Sequence, residues 1–102
     1  MHFVYVIYSI EHNRFYTGET INVANRIIEH NSGYYAGSST SFATDWELSF
    51  MLSVNNRKDA LIVEKHLKSM KSKAYLQRLK NDVEVMKKFK QIISEKYGIQ
   101  CL

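Results

Sequence analysis

The first hydrophobic run of the chain, FVYVIYS at residues 3–9, carries no polar residue before Ser9. Its β-branched and aromatic side chains predict a strand buried on both faces, and so one at the centre of a sheet. IEHN then supplies a polar turn, and RFYTG at 14–18 reads as the returning strand of a hairpin, with Gly18 serving the turn toward the next helix. Asn22 is a helix N-cap, and Val23, Ala24, Ile27 and Ile28 form an apolar arc of helical spacing behind it. Asn31, Ser32 and Gly33 stop that helix. Residues 34–44 read as a loop. DWELSFMLSV at 45–54 alternates: Trp46, Leu48, Phe50, Leu52 and Val54 point one way, and Glu47, Ser49, Met51 and Ser53 the other, as in a half-buried strand.

Three helices complete the pattern. Asn55 and Asn56 make a turn and cap, and Ala60, Val63, Leu67 and Met70 share one side of a helix over 57–70. Ser72 caps a short basic helix that runs through Lys80. A last helix over about 82–96 has Val85, Met86, Phe89, Ile92 and Ile93 on its apolar face. The order is β-β-α-β-α-α-α, and the fold class is α+β, with helices packed on a small antiparallel sheet. At 102 residues the chain suits a single domain, with its core at about 3–80.

Charge changes this picture more than composition does. Residues 1–50 hold two basic and five acidic residues, whereas 51–102 hold twelve basic and five acidic. The run from Lys65 to Lys80 has six Lys or Arg and no acid. Such a one-sided cluster attracts a polyanion, though a solvated helix face has the same composition. The one cysteine, Cys101, rules out an internal disulfide and sits in a tail that reads as unstructured. No run nears the roughly 20 apolar residues of a membrane span, and nothing resembles an export signal. A cytoplasmic protein is expected.

Five polar or aromatic positions call for chemistry. Arg26 and His30 are i, i+4 on the first helix and share a face at the edge of its apolar stripe. Glu64 falls within or beside the apolar arc of the second helix, where a carboxylate needs an ion partner, a wet cleft or a metal; an i, i+4 pair with Lys68 is the simplest answer. Tyr5 and Tyr16 come from adjacent strands and can point into one cleft. Taken singly, each is an ordinary packing tyrosine with a wet hydroxyl. There is no CxxC, no HExxH and no phosphate loop.

Together these residues resemble the GIY-YIG nuclease family, in its small stand-alone form. FVY at 3–5 and YTG at 16–18 match its two hairpin motifs. Arg26 follows Gly18 by eight residues, His30 lies one turn later within EHNSG, and Glu64 sits on the helix after the third strand. The resemblance implies a central three-stranded antiparallel sheet flanked by helices, and a divalent-metal endonuclease that hydrolyses phosphodiesters in DNA, usually one strand per active site. It implies that Glu64 is the protein ligand of Mg²⁺ or Mn²⁺ and that Tyr5 or Tyr16 takes a proton from the attacking water. It further implies that Arg26 steadies the scissile phosphate, that His30 assists, and that Gly18 is the motif glycine. With the resemblance in place, Gly18 gains a second reading beside its hairpin role: lacking a side chain, it leaves room for a phosphate beside the Tyr16 hydroxyl. Lys65, Lys68, Lys71, Lys73 and Arg78 are candidates to hold the DNA backbone. Branched, damaged or nicked duplexes in repair or recombination are candidate substrates, with a protein partner as one source of specificity. Phe3 stands where the family has glycine, Thr17 replaces an aliphatic residue, and KAYLQ lacks the asparagine that many relatives carry. An alternative is therefore a nucleic-acid-binding module that keeps the fold without turnover.

Overall fold

The computed structural model describes residues 1–34 and 37–102. Strands β1 (His2–Ser9), β2 (Arg14–Thr20) and β3 (Trp46–Val54) form one antiparallel sheet in the order β2-β1-β3. Helices α1 (Val23–Asn31), α2 (Arg57–Met70), α3 (Lys73–Asn81) and α4 (Val83–Tyr97) pack around it. This is the expected α+β architecture with the first strand central. The expected loop at 34–44 includes Tyr35 and Ala36, which lie outside the described residues.

β1 is central because every one of its inner side chains is apolar. Val4, Tyr5, Val6 and Ile7 are all at most 1% exposed, so alternate residues feed two separate cores. Val4 and Val6 face α2, α3 and α4, where Val63, Leu67, Phe89 and Ile93 pack. Tyr5 and Ile7 face α1 and the segment before β3, meeting Val23, Ala43 and Trp46. Each large side chain removed from water contributes about 1.5–3 kcal/mol, so the more populated helical face holds the larger share of stability.

The cap residues behave as their chemistry requires. Asn22, Asn56 and Ser72 have extended backbones and accept from the backbone N–H three residues on, at Asn25, Asp59 and Tyr75. Asp82 caps α4 through the Glu84 N–H.

Several expectations need correction. Trp46 does not share a face with Phe50, Leu52 and Val54. Ser49 is an extra residue in β3: Val6 pairs with Phe50, yet Ile7 pairs with Leu48. This bulge turns the strand over, so Trp46 joins the Tyr5 core while Leu52 and Val54 stay in the other. The arc of α1 is also rotated. Ile28 is 65% exposed, whereas Val23 and His30 are buried and Ile27 is half-buried. Met70 and Ile92 reach solvent. Cys101 is not in a loose tail. Ile99 and Cys101 are buried in the helical core, Leu102 and Ser53 exchange backbone hydrogen bonds at 2.9 and 3.1 Å, and burial pushes the Cys101 thiol pKa up.

Gly18 lies inside β2, opposite Tyr5, rather than at a turn. A Cβ built there would come within 2.6 Å of the Tyr5 hydroxyl oxygen and 2.7 Å of its Cζ. The missing side chain thus makes room for the Tyr5 phenol, not for a phosphate. Gly18→Ala is expected to cost about 1–3 kcal/mol in denaturant unfolding, as overpacking does. That cost should shrink in a Tyr5→Leu background, since the two sites touch. An equal loss in both backgrounds would refute the contact as its cause.

Candidate active site

Tyr5 is held from below and from its tip. Its ring covers Gly18, and its hydroxyl is 2.9 Å from Nε2 of His30 in the last turn of α1. His30 Nδ1 is 2.9 Å from Oγ1 of Thr40, which also meets Ser38 Oγ at 3.1 Å. The Thr40 carbonyl in turn accepts from the Trp46 indole N–H at 3.2 Å. A polar chain therefore runs Tyr5–His30–Thr40–Trp46 through the smaller core. His30 and Thr40 are 5% and 2% exposed, so both ring nitrogens are satisfied away from water.

Burial lowers the His30 pKa from its ordinary 6.5, the nearby Arg26 charge lowers it further, and Glu29 opposes both. The imidazole is neutral at neutral pH, with one donor and one acceptor nitrogen. Either Tyr5 donates to Nε2 and Nδ1–H donates to Thr40, or the direction of both bonds reverses. His30 is thus a core residue and not a surface cation at a helix C-terminus. Asn31 secures the same helix end: its amide donates to the Trp46 carbonyl at 2.9 Å and accepts from the Trp46 N–H at 2.7 Å. The side chain acts as a short strand partner, clamping α1 to the start of β3.

Tyr16 lies two residues before Gly18 on edge strand β2 and shares its face. Its ring centroid is 6.4 Å from that of Tyr5 and 5.2 Å, edge to face, from His30. The ring is half-buried, and its hydroxyl makes no hydrogen bond among the described residues. Lys68 places its ammonium 5.8 Å from the Tyr16 centroid and 2.6 Å from Glu64 Oε2. The i, i+4 pair anticipated for Glu64 is therefore present, and its lysine joins α2 to the tyrosine cluster. Arg26 is 35% exposed and pairs with Glu29 at 3.4 Å.

Lys68 is the one member of the basic set that joins this cluster. Lys65 instead lines a cleft of about 480 Å³ with His66 and Tyr97. Lys71 closes α2 in a left-handed conformation (φ 50°), Lys73 opens α3, and Arg78 lies in its last turn. Those four form no ion pair or hydrogen bond with the cluster among the described residues.

No group of three His, Cys, Asp or Glu gathers among the described residues, so any metal held here relies on few protein donors. Glu64 suits a hard cation on those terms. Its side chain is 15% exposed, Oε2 engages Lys68, and Oε1 takes no hydrogen bond or ion pair among the described residues. Mg²⁺ commonly binds through one or two carboxylates and keeps several waters. Thr40 carries no signal in the sequence, and Asn31 reads there only as a helix stop. Hydroxyls and amides are common in loops and helix ends, and nothing local marks these two as partners of His30 and Trp46.

Stability should depend on His30 titration. Below about pH 6.5 the unfolded chain takes up a proton at this residue that the folded chain resists. The unfolded state then binds more protons, so stability falls as pH drops. His66, lowered by burial and by Lys96, acts in the same direction and is common to the parent and a His30 variant. Urea unfolding at about pH 7.5 and about pH 5.5 should show a smaller pH loss for His30→Gln than for the parent. Equal losses would mean that His30 is not buried neutral.

The GIY-YIG catalytic domain matches residues 1–81. No curated protein and no solved structure matches the chain. The matched span takes in all three strands with α1, α2 and α3, leaving α4 outside. It holds the Tyr5–Gly18 pair, Tyr16, Arg26, His30 and Glu64, and so the whole of the cluster around the sheet edge. On that match, and with the order β2-β1-β3 of its sheet, the chain belongs to the GIY-YIG family of nucleases.

Proposed function

We propose that this protein is a divalent-metal-dependent endonuclease that nicks one strand of DNA, with Tyr16 as the group that receives the proton of the attacking water. One observation carries the choice of tyrosine. Tyr5 is 1% exposed with its hydroxyl on His30, whereas Tyr16 is half-buried and its hydroxyl has no partner among the described residues. A phenol with a pKa of about 10 is a weak base unless cations favour the phenolate. The Lys68 ammonium lies over the ring, 5.8 Å from its centroid.

The remaining roles follow from residue chemistry. Glu64 is the protein ligand of Mg²⁺ or Mn²⁺, through Oε1 or by release of Oε2 from Lys68. When bound, the ion polarises the phosphate and stabilises the leaving oxygen. Arg26 offers a guanidinium fork that matches phosphate oxygens, and its bond to Glu29 orients it. His30 is a positioning residue: neutral and buried, it fixes the Tyr5 phenol against Gly18. Lys65, Lys71, Lys73 and Arg78 hold the DNA backbone without reading bases.

The Lys68–Glu64 pair also favours a second reading. An ammonium 2.6 Å from the carboxylate already compensates its charge, as it would in a binding module without turnover. Nicking of supercoiled plasmid in Mg²⁺ or Mn²⁺ separates the two. Tyr16→Phe is expected to lose about 10²–10⁴-fold in rate, the usual contribution of a positioned base. Glu64→Gln and Arg26→Ala should lose at least about 10²-fold, with unchanged circular dichroism. Nicking by Tyr16→Phe at the parent rate, with a dead Tyr5→Phe, would move the base to Tyr5. A parent inert in both metals that still binds DNA with steep salt dependence would establish the binding module.

A further inference from the structure

One feature of the site face is used by none of these roles. Phe42 is 46% exposed, in the segment between α1 and β3. Its ring stands edge to face with Trp46 at 5.6 Å and with His12 at 5.0 Å. The Arg14 guanidinium carbon lies over it, 5.9 Å from its centroid. His12, Arg14 and Phe42 line a cleft of about 160 Å³. The ring is partly exposed with a cation over its face, a contact that stabilises modestly at exposed sites, and its setting is built rather than loose. Asp45 accepts from Ser9 Oγ at 2.6 Å and from the Glu11 N–H at 2.9 Å, fastening the β1–β2 turn to this segment. Those bonds hold the Asp45 carboxyl below its ordinary pKa. His12 is thereby held beside Phe42, and its own N–H donates to Ser9 Oγ at 3.2 Å.

Position relative to the cluster decides what the cleft fits. Arg14 and Tyr16 are two residues apart on β2 and project from the same face, about 6.8 Å along the strand. Trp46, beneath Phe42, is in the same buried core as Tyr5. A DNA strand whose phosphate lies at Tyr16 and that runs along β2 toward Arg14 passes a neighbouring nucleotide over Arg14 and Phe42. A base that takes the place of the Arg14 guanidinium over Phe42 stacks on the ring irrespective of its identity, and the displaced guanidinium meets the backbone. Bases in an intact duplex are already stacked on one another and present no face to Phe42.

We propose that Phe42, His12 and Arg14 form a stacking subsite for an unpaired base next to the scissile phosphate. The preferred substrates are then DNA with a single-stranded arm or flap rather than continuous duplex. The proposal rests on the nuclease reading for DNA as the ligand, but its test does not need cleavage. In a Glu64→Gln background, a forked duplex carrying 2-aminopurine in its single-stranded arm and a blunt duplex of equal length are titrated by fluorescence. The forked DNA should bind about tenfold more tightly, the scale of one base–aromatic stack, with quenched 2-aminopurine. Phe42→Leu, which keeps an apolar cover on Trp46, should bring the forked-to-blunt ratio toward one and relieve the quench; Phe42→Trp should retain both. His12→Ala, which leaves Phe42 seated, should lower the ratio in part. A parent ratio near one, or a ratio and quench unchanged in Phe42→Leu, overturns the subsite. A parent that nicks plasmid while binding ignores Phe42 keeps the nuclease and loses the subsite. Phe42-dependent stacking in a protein inert toward every metal does the reverse.

Discussion

The contact of the Tyr5 ring with Gly18 sets the geometry of the site. β1 is buried on both faces, so its residues cannot shift outward, and Tyr5 must point into the smaller core. Across the ladder its direct partner is Gly18, where a Cβ would fall 2.6 Å from the Tyr5 hydroxyl oxygen, so only a residue without one leaves room for the phenol. With the ring seated, the hydroxyl reaches His30, and the end of α1 is placed relative to β2. The pairing register then puts Tyr16 on the same face two residues away. Its ring packs against both Tyr5 and His30, at 6.4 and 5.2 Å. One steric demand in a strand thus positions three aromatic rings from three elements.

Charge is arranged around this apolar seat rather than within it. His30 stays neutral because it is buried and because Arg26 is near. The full charges of Arg26, Lys68 and Glu64 stand toward its margin, each partly exposed. Lys68 is 50% exposed and reaches both Glu64 and the Tyr16 face, so its bond to the carboxylate is screened and weak by the standards of buried pairs. A pair of that kind can open when a phosphate or a cation competes for either partner. The same geometry can therefore serve a resting state and a DNA-bound state without rearrangement of the fold.

What the sequence reveals follows the range of each interaction. Caps at Asn22, Asn56 and Ser72 act within three residues, and each is where local chemistry places it. The double-sided burial of β1 shows in an uninterrupted apolar run. The Lys68–Glu64 pair shows in i, i+4 spacing. Longer-range features do not show. A strict alternation from Trp46 to Val54 conceals the bulge at Ser49, because either face of the strand accepts an apolar residue. The Val23–Ile28 arc is misjudged by a rotation, since α1 turns His30 inward where its nitrogens find Tyr5 and Thr40. Thr40 has no distinguishing neighbour in SSTSFAT, and Cys101 is buried by contacts that no local pattern encodes.

The bulge at Ser49 connects these strands of reasoning. Without the extra residue, Trp46 would face α2 and α4, and the smaller core would lose its largest ring. Thr40 would then have no indole donor for its carbonyl, and Asn31 no matching backbone at the start of β3. Phe42 would lose the Trp46 ring, and the Asp45 clamp on Ser9 and Glu11 would move with its neighbour Trp46. A local irregularity in an edge strand is therefore what lets the segment before β3 fold back over the sheet. That segment holds His30 from one end and presents Phe42 at the other. The neutral imidazole at the tip of Tyr5 and the exposed ring under Arg14 are two outcomes of the same reversal of face.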